Sequence, residues 1–352
     1  MGDRHQRHFP PTLTLRQLGA ILRRKARVPM RTKPTHRMFV LLVVILVLDR
    51  TPIGTAQSER PSATALEAAA YRVLGSKHPD PAIRNADVVA EKLLGPAERA
   101  ILKDTGSTIV LDALEMDTER AWTTLGPRSV FARGVHVRTR HIDDVLAESL
   151  RAGATQVVIL GAGLDSRAYR FGDALRGVRV FELDLPQTQN YKKARVRDVF
   201  GGLPAHVTYA PIDFATQDLA TVLKGAGYDP SKRTLFIWEG VTMYVPEPGI
   251  DATLRSIATN AARGSRIVFD YFTERALRDR QSVLVPIAKN VAAVGEPFVF
   301  GMPGDNAAAF ISARGFSVIS DFGSAELAQK YLPKAFAMPS PSANRLCVAE
   351  IK

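Results

Sequence analysis

The chain changes its hydrophobic period several times, and each change predicts an element. Beyond Pro61, stretches 63–74 and 86–94 carry apolar residues at helical spacing, with Gly75 and Gly95-Pro96 as stops. A third helix is predicted over 143–152, closed by Gly153. Apolar runs of strand length follow at 156–160, 179–183, 206–212, 234–238 and 265–271. Segments of helical composition at 165–169, 186–199, 218–223 and 247–262 separate them. Near the end, 297–300, 316–320 and 345–351 read as strands, with helices over 307–313 and 325–331. This alternation predicts an α/β fold: a mostly parallel central sheet, helices on both faces, and an N-terminal helical lid.

The region before Pro61 is of another kind. Residues 1–37 are Arg-rich, contain Pro10, Pro11, Pro29 and Pro34, and show no sustained apolar period, which predicts a largely disordered extension. Eleven apolar residues follow at 38–48, ended by Asp49-Arg50. A spanning helix needs about 20 such residues, so the run is short for one. Basic residues before it and Gly54-Thr55-Ala56 after it fit a signal peptide. A signal or membrane anchor, a short buried element, and a stretch translated upstream of a start at Met38 or later stand as three readings. The expected division is an extension over 1–60 and one folded domain over 61–352.

Composition narrows the chemistry. A single cysteine, Cys347, excludes an intramolecular disulfide framework and a Cys-rich zinc site. His136 and His141 have no partners at metal spacing, so no metal is assigned. The formal net charge is +12, but residues 1–60 hold twelve Lys and Arg against three acids, which places +9 there. The other 292 residues carry 35 basic and 32 acidic side chains, too even a balance for a nucleic-acid groove.

The sharpest local feature is Val157-Val158-Ile159-Leu160-Gly161-Ala162-Gly163-Leu164-Asp165-Ser166-Arg167, a buried strand running into a Gly-x-Gly turn. A dinucleotide fingerprint would put a third glycine where Ser166 stands, and Asp165 would meet a pyrophosphate with like charge. A cationic donor without phosphate, S-adenosyl-L-methionine, escapes both objections. About 20 residues on, where an acid commonly meets a ribose, Glu182 and Asp184 share one face of the next strand. They read either as ligand groups or as solvated acids at a strand end. Asp213 with Phe214 would suit an adenine, and Asp213 reads equally as a helix cap. Glu239 ends an apolar strand at the edge where open α/β sheets bind ligands. Trp238 reads as core, while Tyr244 divides between packing and function. Upstream, Arg138 offers a fork for a carboxylate.

Taken in order, Arg138-Thr139-Arg140-x-x-Asp143-Asp144, the glycine loop through Arg170, Phe181-Glu182-Leu183-Asp184-Leu185-Pro186 and Glu239-Gly240-x-x-x-Tyr244 resemble the leucine carboxyl methyltransferase family. The similarity runs from about Pro61 to the C-terminus, toward its bacterial S-adenosyl-L-methionine-dependent branch. The resemblance implies a Rossmann-like class I methyltransferase fold with S-adenosyl-L-methionine as cofactor. Arg138 would grip the methionine carboxylate, with Arg140 as alternate. Gly161, Gly163 and Asp165 would line the donor, Asp184 would bind the ribose, and Asp213 with Phe214 the adenine. Glu239 would lie near the methionine amine or the acceptor, and Tyr244 near the acceptor. Ser166 stands where the family often has Thr, and Val241 where it often has Leu. A larger departure is Arg84-Asn85-Ala86-Asp87, where relatives tend to carry an Asp-Asp-Pro segment that helps close the site.

The expected reaction is O-methylation of a carboxylate or acidic hydroxyl on a small molecule. No convincing Ser-His-Asp set is visible, and a carboxylate acceptor needs no general base. A nicotinamide-dependent oxidoreductase and a non-catalytic, membrane-tethered binding protein are the alternatives. A hydrolase lacks its Gly-x-Ser-x-Gly elbow. Because the donor is made in the cytosol, a cytoplasmic domain is expected, soluble or held at a membrane by 38–48. The same reasoning weighs against an exported protein with a cleaved signal.

Overall fold

The computed structural model describes residues 61–352, so the expectations made for 1–60, including the run 38–48, lie outside the described residues. Among the described residues six helices come first: α1 (Ala63–Ser76), α2 (Val89–Leu93), α3 (Pro96–Asp104), α4 (Thr108–Leu114), α5 (Thr118–Thr124) and α6 (Arg128–Arg151). Strand β1 (Gln156–Leu160) leads through the glycine loop into the single turn α7 (Arg167–Arg170). Next come β2 (Arg179–Asp184), α8 (Pro186–Phe200), β3 (Val207–Pro211), α9 (Leu219–Gly225), β4 (Thr234–Trp238), α10 (Glu247–Asn260) and β5 (Arg266–Phe272). The chain closes with α11 (Glu274–Arg278), α12 (Leu284–Ala293), α13 (Ala307–Ser312), β6 (Phe316–Gly323), α14 (Ser324–Tyr331) and β7 (Asn344–Ile351).

The seven strands lie in the order β3-β2-β1-β4-β5-β7-β6. The first five are parallel, while β7 runs antiparallel to both β5 and β6. Each central strand reads as an unbroken apolar run because both of its faces are covered. Val157, Ile159, Val180, Leu235 and Ile237 join the core beneath the N-terminal helices. Their neighbours Val158, Leu160, Phe181, Phe236 and Trp238 join the opposite core under α9 and α10. Strand order reverses between β1 and β4, which makes their carboxyl ends the switch point where such sheets bind ligands.

The expected fold class holds, and the differences have physical causes. Helix α6 starts at Arg128 rather than near 143. Its β-branched residues depress helix propensity, but Val135, Val137, Ile142 and Leu146 are buried in the core, and packing overrides propensity. The short helices α3, α4 and α5, and α12, were not legible in the apolar period. Stretch 297–300 is no strand: Val299 and Phe300 both donate to the carbonyl of Met243, which forms no ladder.

One expectation is corrected. Among the described residues no helix is long and apolar enough to cross a membrane, so the membrane association expected through 38–48 is withdrawn. The cytoplasmic placement argued beside it finds no positive support in the fold and is withdrawn with it.

Candidate functional site

The glycine loop follows from local backbone demands. Gly161 has φ +66° and Gly163 φ +43°, a region that L side chains rarely adopt. A Cβ on Gly161 would lie 2.4 Å from Val241 Cγ2, so the β1 and β4 loops touch only because that side chain is missing. Strand β2 holds the turn from the other side. Ala162 N–H donates to Leu183 O at 2.9 Å, and Gly163 N–H donates to Asp184 Oδ2 at 2.5 Å. The second Asp184 oxygen accepts from Leu185 N–H at 2.7 Å. Burial raises the Asp184 carboxyl above its ordinary range, and these two N–H groups oppose the shift. Each oxygen keeps a lone pair free for a hydroxyl.

Beside the loop runs a chain of buried ion pairs. Arg138 of α6 donates to Glu239 Oε1 at 2.8 Å and to Asp270 Oδ2 at 2.6 Å. Arg167 donates to Glu239 Oε2 at 2.6 Å, to Asp143 at 2.8 Å, and to Asp165. Asp165 also caps the Arg167 N–H at 2.7 Å, so it orients the turn into α7. Further out, Arg170 pairs with Asp143 at 2.5 Å, and Asp87 accepts from Arg72 at 2.8 Å and from Ser166 at 2.5 Å. Burial works to raise Glu239, but Arg167 and Arg138 win and hold its carboxyl far below the usual range. Burial likewise opposes Arg72 and Arg170 at Asp87, and its carboxyl still lies below its ordinary value. In all, Arg72, Arg138, Arg167 and Arg170 face Asp87, Asp143, Asp165, Glu239 and Asp270, four cations against five carboxylates. Asp184 adds to the negative excess.

The departing segment 84–87 still ties the lid to the loop, through Asp87. Asn85 donates to Arg72 O at 3.0 Å and accepts the Asp87 N–H at 2.9 Å, which fixes the turn that presents Asp87. The start of α1 covers the loop: a Cβ on Gly163 would lie 3.2 Å from Ala65 Cβ. Thr64 and Ser62 donate to Glu296 at 2.5 and 3.1 Å, and the Tyr244 phenol ring packs 5.4 Å from that of Phe298. Burial pushes that phenol well above its ordinary value, so it stays protonated at neutral pH.

The structure thus gathers Arg138, Asp165 and Glu239 in one network, with Gly161, Gly163 and Asp184 beside it and Tyr244 under the lid. Arg140 lies apart, donating to the carbonyls of Ala82 and Ile83. Asp213 caps no helix: it accepts Ala215 N–H at 2.9 Å and Thr216 Oγ1–H at 3.1 Å within the turn after β3, and the cap of α9 is Asp218. Phe214 packs at 6.0 Å from the Trp238 ring, and Trp238 is core, as read from its strand. Sequence reasoning missed Arg167, Asp270 and Lys192. Asp270 had a signal, as the one carboxylate inside the apolar run of β5. Lys192 had none: its ammonium meets Glu182 at 2.9 Å and the Ala162 carbonyl at 3.3 Å, a contact only the packing of α8 creates.

With this geometry in hand, the comparisons with known proteins are specific. The model of the leucine carboxyl methyltransferase family matches residues 65–258. A relative from Mycolicibacterium smegmatis, provisionally named an S-adenosyl-L-methionine-dependent methyltransferase, is 34% identical over 213 residues, covering 59% of this chain and 66% of its own. Another so named, from Mycolicibacterium gilvum, is 32% identical over 224 residues, covering 63% of this chain and 70% of its own. The match therefore spans about two thirds of the relatives' length. In fold, the chain is similar to a DUF574 family protein from Streptomyces avermitilis, with TM-score 0.52 and 12% identity over 79% of this chain and 100% of that one. The chain belongs to the leucine carboxyl methyltransferase family, a family of S-adenosyl-L-methionine-dependent methyltransferases.

Proposed function

We propose that the protein methylates a carboxylate or acidic hydroxyl oxygen of a small molecule, with S-adenosyl-L-methionine as donor. The observation that carries this reading is the surplus of carboxylates around a glycine turn at the β1/β4 switch point. Such a site suits a donor with a cationic sulfonium and an ammonium, and repels a dinucleotide's pyrophosphate. When bound, S-adenosyl-L-methionine supplies an electrophilic methyl group.

The chain's own part is to bind, align and exclude water. Asp184, with a lone pair free on each oxygen, is assigned to the ribose. Gly161 and Gly163 let the donor approach the backbone, and Asp213 with Phe214 is assigned to the adenine. Arg138 is assigned to the donor's carboxylate through the guanidinium edge that faces Gly240, 3.4 Å from where a Cβ would stand. Asp165 and Glu239 contribute charge and hold the two arginines. Neither acts as a base in this reading, because each is committed to a guanidinium. Tyr244, protonated, can donate a hydrogen bond to the acceptor but cannot take a proton from it. An acceptor already ionised at neutral pH fits this arrangement best.

The test is calorimetric titration of the protein with S-adenosyl-L-methionine, followed by transfer of labelled methyl to fractionated small molecules. Absence of donor binding sinks the proposal. Labelling of protein or nucleic acid alone would overturn the assignment to a small acceptor.

A further inference from the structure

A cavity of about 330 Å3 lies between α6, the end of β5, α12 and the segment before β7. Its size is at the lower end of pockets that enclose small ligands, roughly 300–1,000 Å3. The walls are apolar, built by Val130, Phe131, Phe272, Leu284 and Met338. The two ends differ. The buried end holds Arg138, already bonded to Glu239 and Asp270, and Asn344, whose amide donates to Asp270 at 3.3 Å. The open end carries the exposed Arg275, Asp279 and Gln281, with Arg275 paired to Asp305 at 3.4 Å. Arg138 is therefore the partition between this cavity and the glycine-loop side of the site.

Gly134 is the anomaly in its wall. Phe131, Gly134 and Arg138 follow one another at helical spacing along α6 and all line the cavity. Glycine inside a helix is unfavourable relative to alanine, and it is kept where something needs the space. Here neither backbone nor packing asks for it. Gly134 is not among the residues with positive φ, and a Cβ would meet only Met338 Cε, at an ordinary 3.7 Å. What the missing side chain leaves open is the cavity.

We infer that this cavity is the acceptor pocket, that it takes an amphipathic acid with an unbranched apolar body, and that Gly134 sets the length and girth it admits. The inference rests on the methyltransferase reading for the word acceptor, but the pocket and its ligand class stand on the lining alone. The acid group belongs at the Arg138 end, beside the donor side, and the apolar body runs past Gly134 toward the opening.

The probe is decanoate, titrated calorimetrically into the full chain with and without S-adenosylhomocysteine, with butyrate as the short control. Decanoate is expected to saturate one site and to bind more tightly than butyrate. Gly134→Leu, a good helix former that fills the cavity, is expected to weaken decanoate about tenfold, the loss of one or two buried methylenes. Gly134→Ala should melt no lower than the parent, and both variants should bind S-adenosylhomocysteine unchanged. No saturable binding of decanoate, or equal binding by parent and Gly134→Leu, overturns the inference. Failure of S-adenosylhomocysteine to bind while decanoate still discriminates the variants would sink the methyltransferase reading and leave the pocket standing.

Discussion

Arg138 Nε donates to Glu239 Oε1 at 2.8 Å while its Nη1 donates to Asp270 Oδ2 at 2.6 Å, so one guanidinium joins helix α6 to the ends of β4 and β5. All three side chains are nearly or fully excluded from solvent. Their value is therefore asymmetric: the intact set roughly balances its own desolvation, whereas a broken set leaves a charge stranded.

Glu239→Ala removes one of two carboxylates from Arg138 and one of three from Arg167, and it is expected to cost about 1–3 kcal/mol of folding stability, the penalty of buried donors left unmet. Glu239→Gln fills the same space and keeps one acceptor oxygen, though its NH2 turns a donor toward the other guanidinium, and it should cost less. Denaturant unfolding of the two variants checks the order, and equal losses would contradict it.

Asp184 meets both the glycine turn and, in the proposed complex, the ribose. Removing a charged acceptor of that kind loses about 1.5–3 kcal/mol, so Asp184→Ala should weaken donor binding roughly ten- to a hundredfold. Asp184→Asn, which still offers an oxygen to Gly163, should fall between. Calorimetric titration with S-adenosyl-L-methionine reads both, and an unchanged affinity in Asp184→Ala refutes the ribose assignment.

Gly161→Ala meets two separate penalties. The new Cβ collides with Val241, 2.4 Å away, and the φ of +66° strains any L residue by about 1–2 kcal/mol. Val241→Ala in the same chain should recover the collision and leave the backbone term. A double-mutant cycle measured by thermal unfolding separates them, and additive losses would show that the collision is absent.

His136 packs edge-on to Trp122, its Nε2–H donating to Ile83 O at 2.9 Å, and is buried neutral. Burial first, then the charges of Arg140 and His78, push its pKa from 6.5 down to about 3. The unfolded chain therefore binds the proton first, and stability present above pH 6.5 is lost as the pH falls toward 3. Between pH 6.5 and 5 the loss is about 2 kcal/mol. Glu182 has the opposite sign: burial raises its pKa from 4.5 to about 7, so its contribution falls as the pH rises through that window. Only the difference between the parent and His136→Gln isolates the histidine. That difference should shrink on acidification, and a pH-independent difference would rule the effect out.

The sheet was legible because both faces of each central strand are covered, which leaves apolar runs that no helix of that length would need. The glycine loop and Asp184 were legible because backbone geometry and strand ends constrain residue type directly. Helix α6 was only partly legible, since Val135-His136-Val137 contradicts helix propensity and is overruled by burial against α1. Asp165 and Glu239 could be assigned to the site but not to their partners. Residues 28, 72, 101 and 132 apart in sequence meet as hydrogen-bonded or ion-paired neighbours here, and no local pattern records such a meeting.

What the sequence determined by itself is whatever depends on neighbours along the chain: the periods of strand and helix, the turn that only glycine can make, and the family those motifs mark. What the tertiary structure decided is which charge faces which. Arg138 could be read from sequence as a free fork, but the fold commits it to two carboxylates. Asp213 could be read as cap or ligand, and in the fold it orders the turn after β3 while Asp218 caps α9. Gly134 carries no signal in the sequence, and only the cavity beside it gives the missing side chain a meaning. Side-chain chemistry is written residue by residue, but burial and pairing belong to the assembled surface, and burial sets which charges must be answered.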